Sequence, residues 1–434
     1  MSSTELSEAP LTFGQLSVWR DIDRLPRARW QEANMSNTFS FPEPVSRRRL
    51  CQALTRIQAK HESTRTCYDV SDPQRPRQRL LPSQPITDVE VVTGDQAAAA
   101  TEALRAKPFD LTRDRLLRVL AIADGPVSDD PDAAVLTRIM LCLHHIAADG
   151  WSLGLLWTDL LAMLGIGGQE LPEPPNSLLE VAREQHTGSG WAVKLKATQR
   201  HFRSVLQTPA TDFSRRDADA GVLEAAVETS WLAVAAQELA DAHKVSMATV
   251  FTAAYLDAVA GFCGPGPIRI GLMTSNRFLQ RWQHQVTSMN QLIPITVEAD
   301  PDVPFAERLQ PVQLATMRAY RIGLYDVDRV TPAALGIPIE QAQLGYVCTF
   351  NLMDMANPEY PDPDGPSDAD PPVHWEPVFN QIAAGCYLRV YQTTAGTVRL
   401  RMRTGGLPRE TIAGILIATH RRVIDGAAGR RPHR

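Results

Sequence analysis

The sequence predicts an α/β or α+β protein built as two lobes. Strand-like and helix-like segments alternate through both halves of its 434 residues, and a chain of this length ordinarily forms more than one hydrophobic core. One stretch rich in Gly and Pro, GIGGQELPEPPNS at residues 165–177, interrupts the alternation near the middle. We therefore expect a first lobe at residues 1–170 and a second lobe at residues 171–434.

The first lobe combines helical periodicity with short apolar runs. Leu50, Leu54 and Ile57 recur at helical spacing. The apolar runs before residue 145 have the length and composition of buried strands. The elements predicted in this lobe are a helix at 46–60, a strand at 63–70, a helix at 98–106, strands at 115–124 and 133–145, and a helix at 151–164 with Ser152 as its candidate N-cap.

The second lobe repeats the alternation with longer helices. Its Pro- and Asp-rich segment at residues 357–372, NPEYPDPDGPSDADPP, cannot form a regular element and is either functional or mobile. The other predicted elements are helices at 178–208 and 231–262, strands at 267–274 and 291–299, a helix near 304–320, a strand at 343–353, a hairpin turning at Ala395–Gly396 and a closing helix at 408–427.

Composition excludes several classes of function. The formal net charge of -5 gives no electrostatic case for binding nucleic acid or an anionic membrane. The N-terminal segment MSSTELSEAP lacks the pattern of a signal peptide, and no apolar run approaches the ~18–20 residues of a membrane span. The six cysteines are scattered without a CxxC pair, which favours reduced thiols in the cytoplasm and no metal site.

The segment LCLHHIAADGWS at residues 141–152 carries the densest set of reactive side chains. His144 and His145 end an apolar strand, so they point to opposite faces and cannot easily bind one metal ion together. A single histidine facing a cleft suits proton transfer or the stabilisation of a charged intermediate. Asp149 could orient a histidine, pair with an arginine or cap the next helix, and Gly150 permits a tight turn.

The segment HHIAADG resembles the HHxxxDG signature of the condensation domains of nonribosomal peptide synthetases, which belong with the chloramphenicol-acetyltransferase-like acyltransferases. Two motifs of that family, HQDxPFE and RDxSRxP, are not recognisable, and LYDVDRV at 324–330 stands where the first is expected. Other segments are similar to motifs of the family in the same order: TFGQLSVW at 12–19, KHESTRT at 60–66, LLEVAREQ at 178–185, MTSNR at 273–277, SMNQL at 288–292 and TFNLM at 349–353.

The resemblance implies roles for the residues of the heptad. His145 is expected to contact the nucleophile and either remove its proton or stabilise the tetrahedral intermediate. The backbone N–H of Gly150 is expected to donate to developing negative charge. Asp149 and Arg277 are expected to form a structural ion pair that shapes the loop, and His144 to orient the strand end.

The resemblance also implies an architecture, substrates and partners. Two acetyltransferase-like lobes would form a V-shaped pseudo-dimer, with Ser288, Asn290 and Asn351 lining a substrate tunnel between them. The substrates would be an acyl or aminoacyl thioester on the phosphopantetheine arm of a carrier protein and an amine or alcohol acceptor. We expect no bound cofactor, a free-standing domain and a monomer.

Two other functions remain open from the sequence. One is an acyltransferase that uses acyl-CoA as its donor. The other is a docking module for carrier proteins that has lost catalysis, against which the intact heptad argues. A hydrolase is the least favoured, because no nucleophile elbow and no Ser or Cys context for a covalent intermediate is present.

Overall fold

The computed structural model describes residues 8–126, 130, 132, 135–174, 176–213, 221–342, 347–353, 370–378, 385–393 and 397–428. The chain divides into two compact units. Unit 1 comprises Met1–Leu195, Ser275–Gln291 and Leu324–Val327, and unit 2 comprises Lys196–Thr274, Leu292–Gly323 and Asp328–Arg434. Residues 357–369 of the predicted Pro- and Asp-rich loop, and the predicted turn at Ala395–Gly396, lie outside the described residues.

Unit 1 contains a three-stranded sheet of order β1-β4-β3 and a four-stranded sheet of order β2-β7-β6-β5. Its strands are β1 Glu8–Pro10, β2 Asn34–Val45, β3 Thr66–Asp69, β4 Arg77–Leu80, β5 Glu90–Thr93, β6 Leu117–Ala123 and β7 Leu136–His144. Its helices are α1 Phe13–Ile22, α2 Arg47–Lys60, α3 Ala97–Ala106, α4 Gly150–Leu164 and α5 Leu178–Thr187, and α6 Ser189–Gln207 begins in this unit.

The strand β7 is buried on both faces, which explains its continuous apolar sequence. Ile139, Leu141 and Leu143 belong to the hydrophobic core that also contains buried side chains of α2 and α4. Met140 and Cys142 point the other way, into a second core that contains buried side chains of α1. Because both faces of β7 are packed, the position of its last residues is tightly constrained.

The helix α4 begins earlier than the sequence predicts, and Ser152 is not its N-cap. Asp149 is the N-cap residue, and its side chain accepts a hydrogen bond from the backbone N–H of Ser152. Aspartate is a strong N-cap because its carboxylate accepts from N–H groups that the first turn leaves unpaired. The helix ends at Gly165, whose φ of 70° lies in the left-handed region that glycine adopts without strain.

The division into compact units differs from the predicted boundary at residue 170. Leu179 and Ala182 of α5 pack with Ala9 of β1, which keeps this helix in unit 1. The residues 275–291 also belong to unit 1, although they follow a long stretch of unit 2 in the sequence. The Gly- and Pro-rich stretch marks where helix α4 ends. Local composition does not indicate which unit the following residues pack against.

Unit 2 is organised around a seven-stranded sheet of order β10-β9-β11-β13-β14-β8-β12. Its strands are β8 Val222–Thr229, β9 Gly266–Thr274, β10 Gln291–Ala299, β11 Cys348–Leu352, β12 His374–Glu376, β13 Cys386–Gln392 and β14 Val398–Gly405. Its helices are α7 Trp231–His243, α8 Met247–Cys263, α9 Phe305–Tyr320, α10 Pro332–Leu335 and α11 Arg409–Ala428.

Most elements predicted from periodicity are confirmed, but two predicted helices are divided and six strands were missed. The predicted helices at 178–208 and 231–262 are each two helices, broken at Gly188 and after His243. The missed strands include β2, whose exposed half is polar, and β8, whose sequence VLEAAVET also fits a helix. The other missed strands are the short β1, β4, β5 and β12, and the helices α1 and α10 were not predicted either. All six cysteines are free. In the part of the chain that is described, no single helix could span a membrane; α7 and α8 pass that test only as a pair bent by 106°.

Candidate active site

The two histidines of the heptad lie at the carboxyl end of β7 and have different surroundings. His144 is the last residue of the strand and is 1% exposed. His145 is the first residue beyond the strand and is half-buried. Its backbone N–H donates to the carbonyl of Ala33 at 2.8 Å, which holds the turn against the residue before β2. Only His145 therefore remains accessible to a substrate.

His144 is a neutral residue of the core. Burial, with smaller effects from His145 and Arg118, lowers the pKa of His144 to about 3. Its Nδ1 atom accepts a hydrogen bond from the backbone N–H of Ile146 at 3.2 Å, so the ring proton must be on Nε2. The ring meets Phe109 edge-on, with centroids 6.2 Å apart. These contacts stabilise the turn that carries His145.

His145 has the tautomer that a general base requires. Its Nδ1 atom lies 3.0 Å from the backbone carbonyl of Ala148. A carbonyl only accepts, so Nδ1 of the neutral ring carries the proton and Nε2 carries the lone pair. Nε2 makes no hydrogen bond to any residue that the structure describes. The heptad turn itself thus orients this histidine, and no carboxylate among the described residues hydrogen-bonds to it.

Asp149 collects hydrogen bonds from two distant parts of unit 1. Arg277 binds its carboxylate with both terminal nitrogens, at 2.7 and 2.9 Å. The backbone N–H groups of Met289 and Asn290 donate at 3.0 and 3.3 Å. Ser152 donates from its backbone N–H at 3.0 Å and from its hydroxyl at 2.8 Å. Of the three roles considered for Asp149, the structure shows the helix cap and the arginine pair.

The charge of Asp149 is retained despite complete burial. Burial alone would raise the pKa of Asp149, but the Arg277 guanidinium and the hydrogen bonds from Met289 and Ser152 outweigh that effect and lower the pKa. The side chains of Arg277 and Asp149 are only 1% and 2% exposed. Neither group can reach a reacting atom without disrupting this packing, so the pair positions the loop.

The side chain of Arg277 also binds backbone carbonyls in the segment from Gln285 to Asn290. Its Nη2 atom donates to the carbonyls of Thr287 and Gln285 at 2.9 and 3.2 Å. Ser288, predicted to line a substrate tunnel, is buried and its hydroxyl donates to the side-chain oxygen of Asn290 at 3.2 Å. Asn290, from the same prediction, is half-buried. Thus the heptad, Arg277 and the predicted pair Ser288 and Asn290 come together in unit 1.

Gly14 is a site residue that motif reasoning treats only as part of TFGQLSVW. A Cβ atom on Gly14 would lie 2.4 Å from the carbonyl oxygen of Ser288 and 2.6 Å from Cα of Met289. Only a residue without a side chain allows α1 to approach that backbone. The signal in the sequence is a glycine in the first turn of an amphipathic segment, but its partner could not be named from the sequence.

Residues of the motifs TFGQLSVW and KHESTRT make hydrogen bonds that hold the elements around the heptad. Gln15 donates from its side-chain nitrogen to Tyr68 Oη at 3.1 Å, and the Tyr68 hydroxyl donates to the carbonyl of Ile146 at 3.5 Å. This chain of hydrogen bonds links α1 to the heptad turn. In KHESTRT, His61 Nε2 lies 2.8 Å from the carboxylate of Asp159 in α4. Both motifs therefore hold elements in place and supply no reactive group.

Asn351 lies in the other compact unit, on β11. Its side-chain nitrogen donates to Tyr387 Oη at 3.3 Å. Its expected place beside the heptad stays a prediction.

The turn after β7 offers two groups that suit acyl transfer. The neutral form of His145 carries a lone pair on Nε2, which can accept a proton from a nucleophile. Gly150 is the first residue of α4, where helix geometry leaves the backbone N–H without an intrahelical partner. Such an N–H can donate to negative charge that develops on a substrate oxygen. Asp149 separates the two groups and fixes the start of the helix.

The family model of the condensation domain matches residues 10–333. Because that match covers most of the sequence, the chain belongs to the condensation-domain family, as the heptad and the order of motifs predicted. It is homologous to the condensation domains of nonribosomal peptide synthetases and of hybrid polyketide–peptide synthetases.

Two curated relatives show the extent of the similarity. Phosphinothricin tripeptide synthetase PhsC of Streptomyces viridochromogenes is 34% identical over 163 residues, which are 36% of this chain and 14% of PhsC. The hybrid PKS-NRPS synthetase poxE of Penicillium oxalicum is 22% identical over 337 residues, 74% of this chain and 8% of poxE. The chain thus spans a small part of each relative.

A solved structure supports the fold over almost the whole chain. It concerns condensation domain-mediated chain release from the enacyloxin polyketide synthase and gives a TM-score of 0.76 at 18% identity. The superposition covers 99% of this chain and 84% of that chain. The predicted mixed fold of the chloramphenicol-acetyltransferase type is thereby confirmed, while the V-shaped pairing and the tunnel stay predictions.

Proposed function

We propose that this chain catalyses the condensation of an acyl or aminoacyl thioester with an amine or alcohol, giving an amide or an ester. The donor is carried on the phosphopantetheine arm of a carrier protein. The observation that carries the proposal is the partly accessible His145, whose Nδ1–H bond to Ala148 leaves the lone pair of the neutral ring on Nε2. Membership of the condensation-domain family supports the same reaction.

The proposed reaction needs only proton transfer and stabilisation of one oxyanion. The amine or hydroxyl attacks the thioester carbonyl, and a C–N or C–O bond forms while the proton passes to Nε2 of His145. The N–H of Gly150 donates to the negative charge on the carbonyl oxygen. When the C–S bond breaks, the thiolate leaves and takes the proton from His145. No other co-reactant is needed.

The histidine contributes only part of the expected acceleration. General acid–base assistance is worth roughly 10²–10⁴-fold. Holding a thioester and a nucleophile in contact supplies a further share, since well-oriented reactants gain up to ~7–11 kcal/mol. A chain without His145 should therefore keep a slow residual reaction. A complete loss would indicate a role in folding as well.

The test is the mass of the product. The purified protein is incubated with acyl-loaded carrier proteins, with the corresponding acyl-CoA thioesters, and with a panel of amines and alcohols. His145→Ala is run beside His243→Ala, a matched histidine control at the last residue of α7 in unit 2. We expect a new amide or ester from the carrier-bound donor, at a rate about 10²–10⁴-fold lower in His145→Ala and unchanged in His243→Ala.

Each alternative has its own outcome. Faster reaction from acyl-CoA than from the carrier would identify an acyl-CoA-dependent acyltransferase. No product, with loaded carriers still bound, would identify a docking module. Equal rates in the wild type and His145→Ala would reject the role of the histidine.

A further inference from the structure

One face of the seven-stranded sheet of unit 2 is lined with charged side chains. Residues alternate along a strand, and here one set packs in the apolar core while the other set is polar. The polar set on β8, β12, β13 and β14 contains four arginines and three glutamates, which we call the arginine–glutamate cluster: Arg389, Arg399, Arg401, Arg403, Glu224, Glu228 and Glu376. The cluster therefore has one positive charge in excess.

The excess charge lies at the β13 end of the cluster. Glu224 is fully buried and faces three guanidinium groups: it bonds to Arg389 and lies 2.7 Å from Arg401 and 3.1 Å from Arg403. Glu376, its neighbour on β12, pairs with Arg399 and lies 2.5 Å from Arg401, and Arg399 also pairs with Glu228. Arg399 and Arg401 thus each contact two carboxylates, whereas Arg389 on β13 pairs with Glu224, which two other arginines share.

Arg389 has a buried hydrogen-bond donor without an acceptor in the part of the chain that is described, and the Nε atoms of Arg399 and Arg401 share this property. Its Nε atom is buried and has no hydrogen-bond partner among the residues described, although its side chain as a whole is 17% exposed. A buried N–H without an acceptor costs about 1–3 kcal/mol. A ligand acceptor at this position would recover that free energy.

Two uncharged polar groups stand beside Arg389 on the same face. Asn351 is its direct neighbour on β11, and Tyr387 precedes it by two residues on β13. The guanidinium carbon of Arg389 lies 5.4 Å from the centroid of the Tyr387 ring. Because Asn351 donates to Tyr387 Oη at 3.3 Å, the hydroxyl proton of Tyr387 is left for another acceptor. Burial raises the pKa of Tyr387, which keeps that proton in place.

We propose that Arg389, Tyr387 and Asn351 form a binding site for the carboxylate group of a small-molecule substrate. A planar carboxylate can accept two parallel N–H bonds from a guanidinium and a third from a phenol hydroxyl. Its negative charge would balance the excess of the cluster. That the carboxylate belongs to a condensation substrate rests on the proposed function, whereas the binding site itself does not.

Glutarate, glutaramide and inorganic phosphate are the probes, and their binding to the whole chain is measured by ligand-observed NMR. The two organic probes have the same carbon chain and differ in charge. We expect glutarate to bind and glutaramide to bind about 10- to 100-fold more weakly, the range for a hydrogen-bonded charged group. Phosphate should bind more weakly than glutarate, because its tetrahedral oxygens do not match the planar arrangement.

Three variants separate recognition from stability. Arg389→Met should abolish the preference for glutarate over glutaramide. Tyr387→Phe, which removes one donor and no charge, should weaken glutarate by several-fold. Arg399→Met is the matched control: it removes an arginine of the same cluster that pairs with Glu228 and Glu376 and whose neighbour on β13 is Tyr391 rather than Arg389, so glutarate binding should stay unchanged. Thermal unfolding of each variant reports the structural cost separately.

The proposal is overturned if glutarate does not bind, if phosphate binds more tightly, or if Arg389→Met and Arg399→Met alter binding equally. Should Arg389→Met fail to fold, Tyr387→Phe decides alone. The same titrations are made on His145→Ala, in which glutarate binding should stay unchanged. A wild-type protein that binds glutarate through Arg389 but forms no amide or ester in the product assay would support this site while rejecting the proposed function.

Discussion

Replacing Arg277 by methionine tests whether the Asp149 pair positions the heptad loop. The carboxylate receives two hydrogen bonds from Arg277 and others from Ser152, Met289 and Asn290. Arg277→Met removes the two charged donors and leaves a buried carboxylate with neutral donors only. Breaking one side of a buried pair costs about 3–5 kcal/mol, and two hydrogen bonds to a charged group, at ~1.5–3 kcal/mol each, give a similar figure.

The assay is denaturant unfolding combined with a double-mutant cycle. We expect Arg277→Met and Asp149→Asn each to lower the free energy of unfolding by about 3–5 kcal/mol. The double variant should lose less than the sum, because each single change already removes the pair. The matched control is Arg281→Met, whose partner Glu184 and own side chain are 35% and 45% exposed, and which should cost at most ~1 kcal/mol.

The pH dependence gives a second measurement on the same variants. In the wild type the pKa of Asp149 is lowered, so the pair stabilises the fold above the unfolded pKa of about 3.9 and this contribution is lost as the pH falls through the lower folded value. Without Arg277, burial should raise that pKa instead, and the cost of Arg277→Met should shrink towards pH 4. A cost below about 1 kcal/mol, or one independent of pH, would refute the reasoning.

Two further predictions follow from the buried groups around this loop. Gly14→Ala should lower the free energy of unfolding by about 1–3 kcal/mol, since its Cβ would lie 2.4 Å from the Ser288 carbonyl oxygen. The control is Gly154→Ala in α4, which has no atom within 4 Å of its Cβ and should stabilise the protein by about 0.5–1 kcal/mol. An unchanged melting temperature in Gly14→Ala would show that α1 moves away from Ser288 at no cost. His144, with its pKa lowered to about 3 by burial, binds a proton only when unfolded between pH 3 and about 6.5, so its contribution is full above that range and is lost as the pH falls. The wild type should lose about 2 kcal/mol of its free energy of unfolding between pH 7 and pH 5 because of His144. If His144→Asn loses the same amount over this pH range, the assignment to His144 is wrong.

Much of the site could be predicted because its parts are close in sequence. The heptad combines a strand end, two histidines and a helix start within seven residues, so strand alternation alone separates His144 from His145. The continuous apolar run of β7 predicts a strand buried on both faces. The missed strand β2 has a polar half, so its composition does not distinguish it from a loop. The sequence of β8 fits a helix as well as a strand.

Contacts between distant residues were decided only by the tertiary structure. Strand and helix patterns left the role of Asp149 open, and only the family resemblance pointed to Arg277, which is 128 residues away in the sequence and binds Asp149 in the structure. Gly14 is required by the backbone at Ser288, and the unpaired donor of Arg389 follows from strand order in a sheet. The sequence by itself determined the fold family and singled out His145 as the candidate reactive histidine, because both conclusions depend on short segments. The burial of the ion pair and the charge excess depend on which segments meet, because side-chain burial and pairing arise only when the chain is packed.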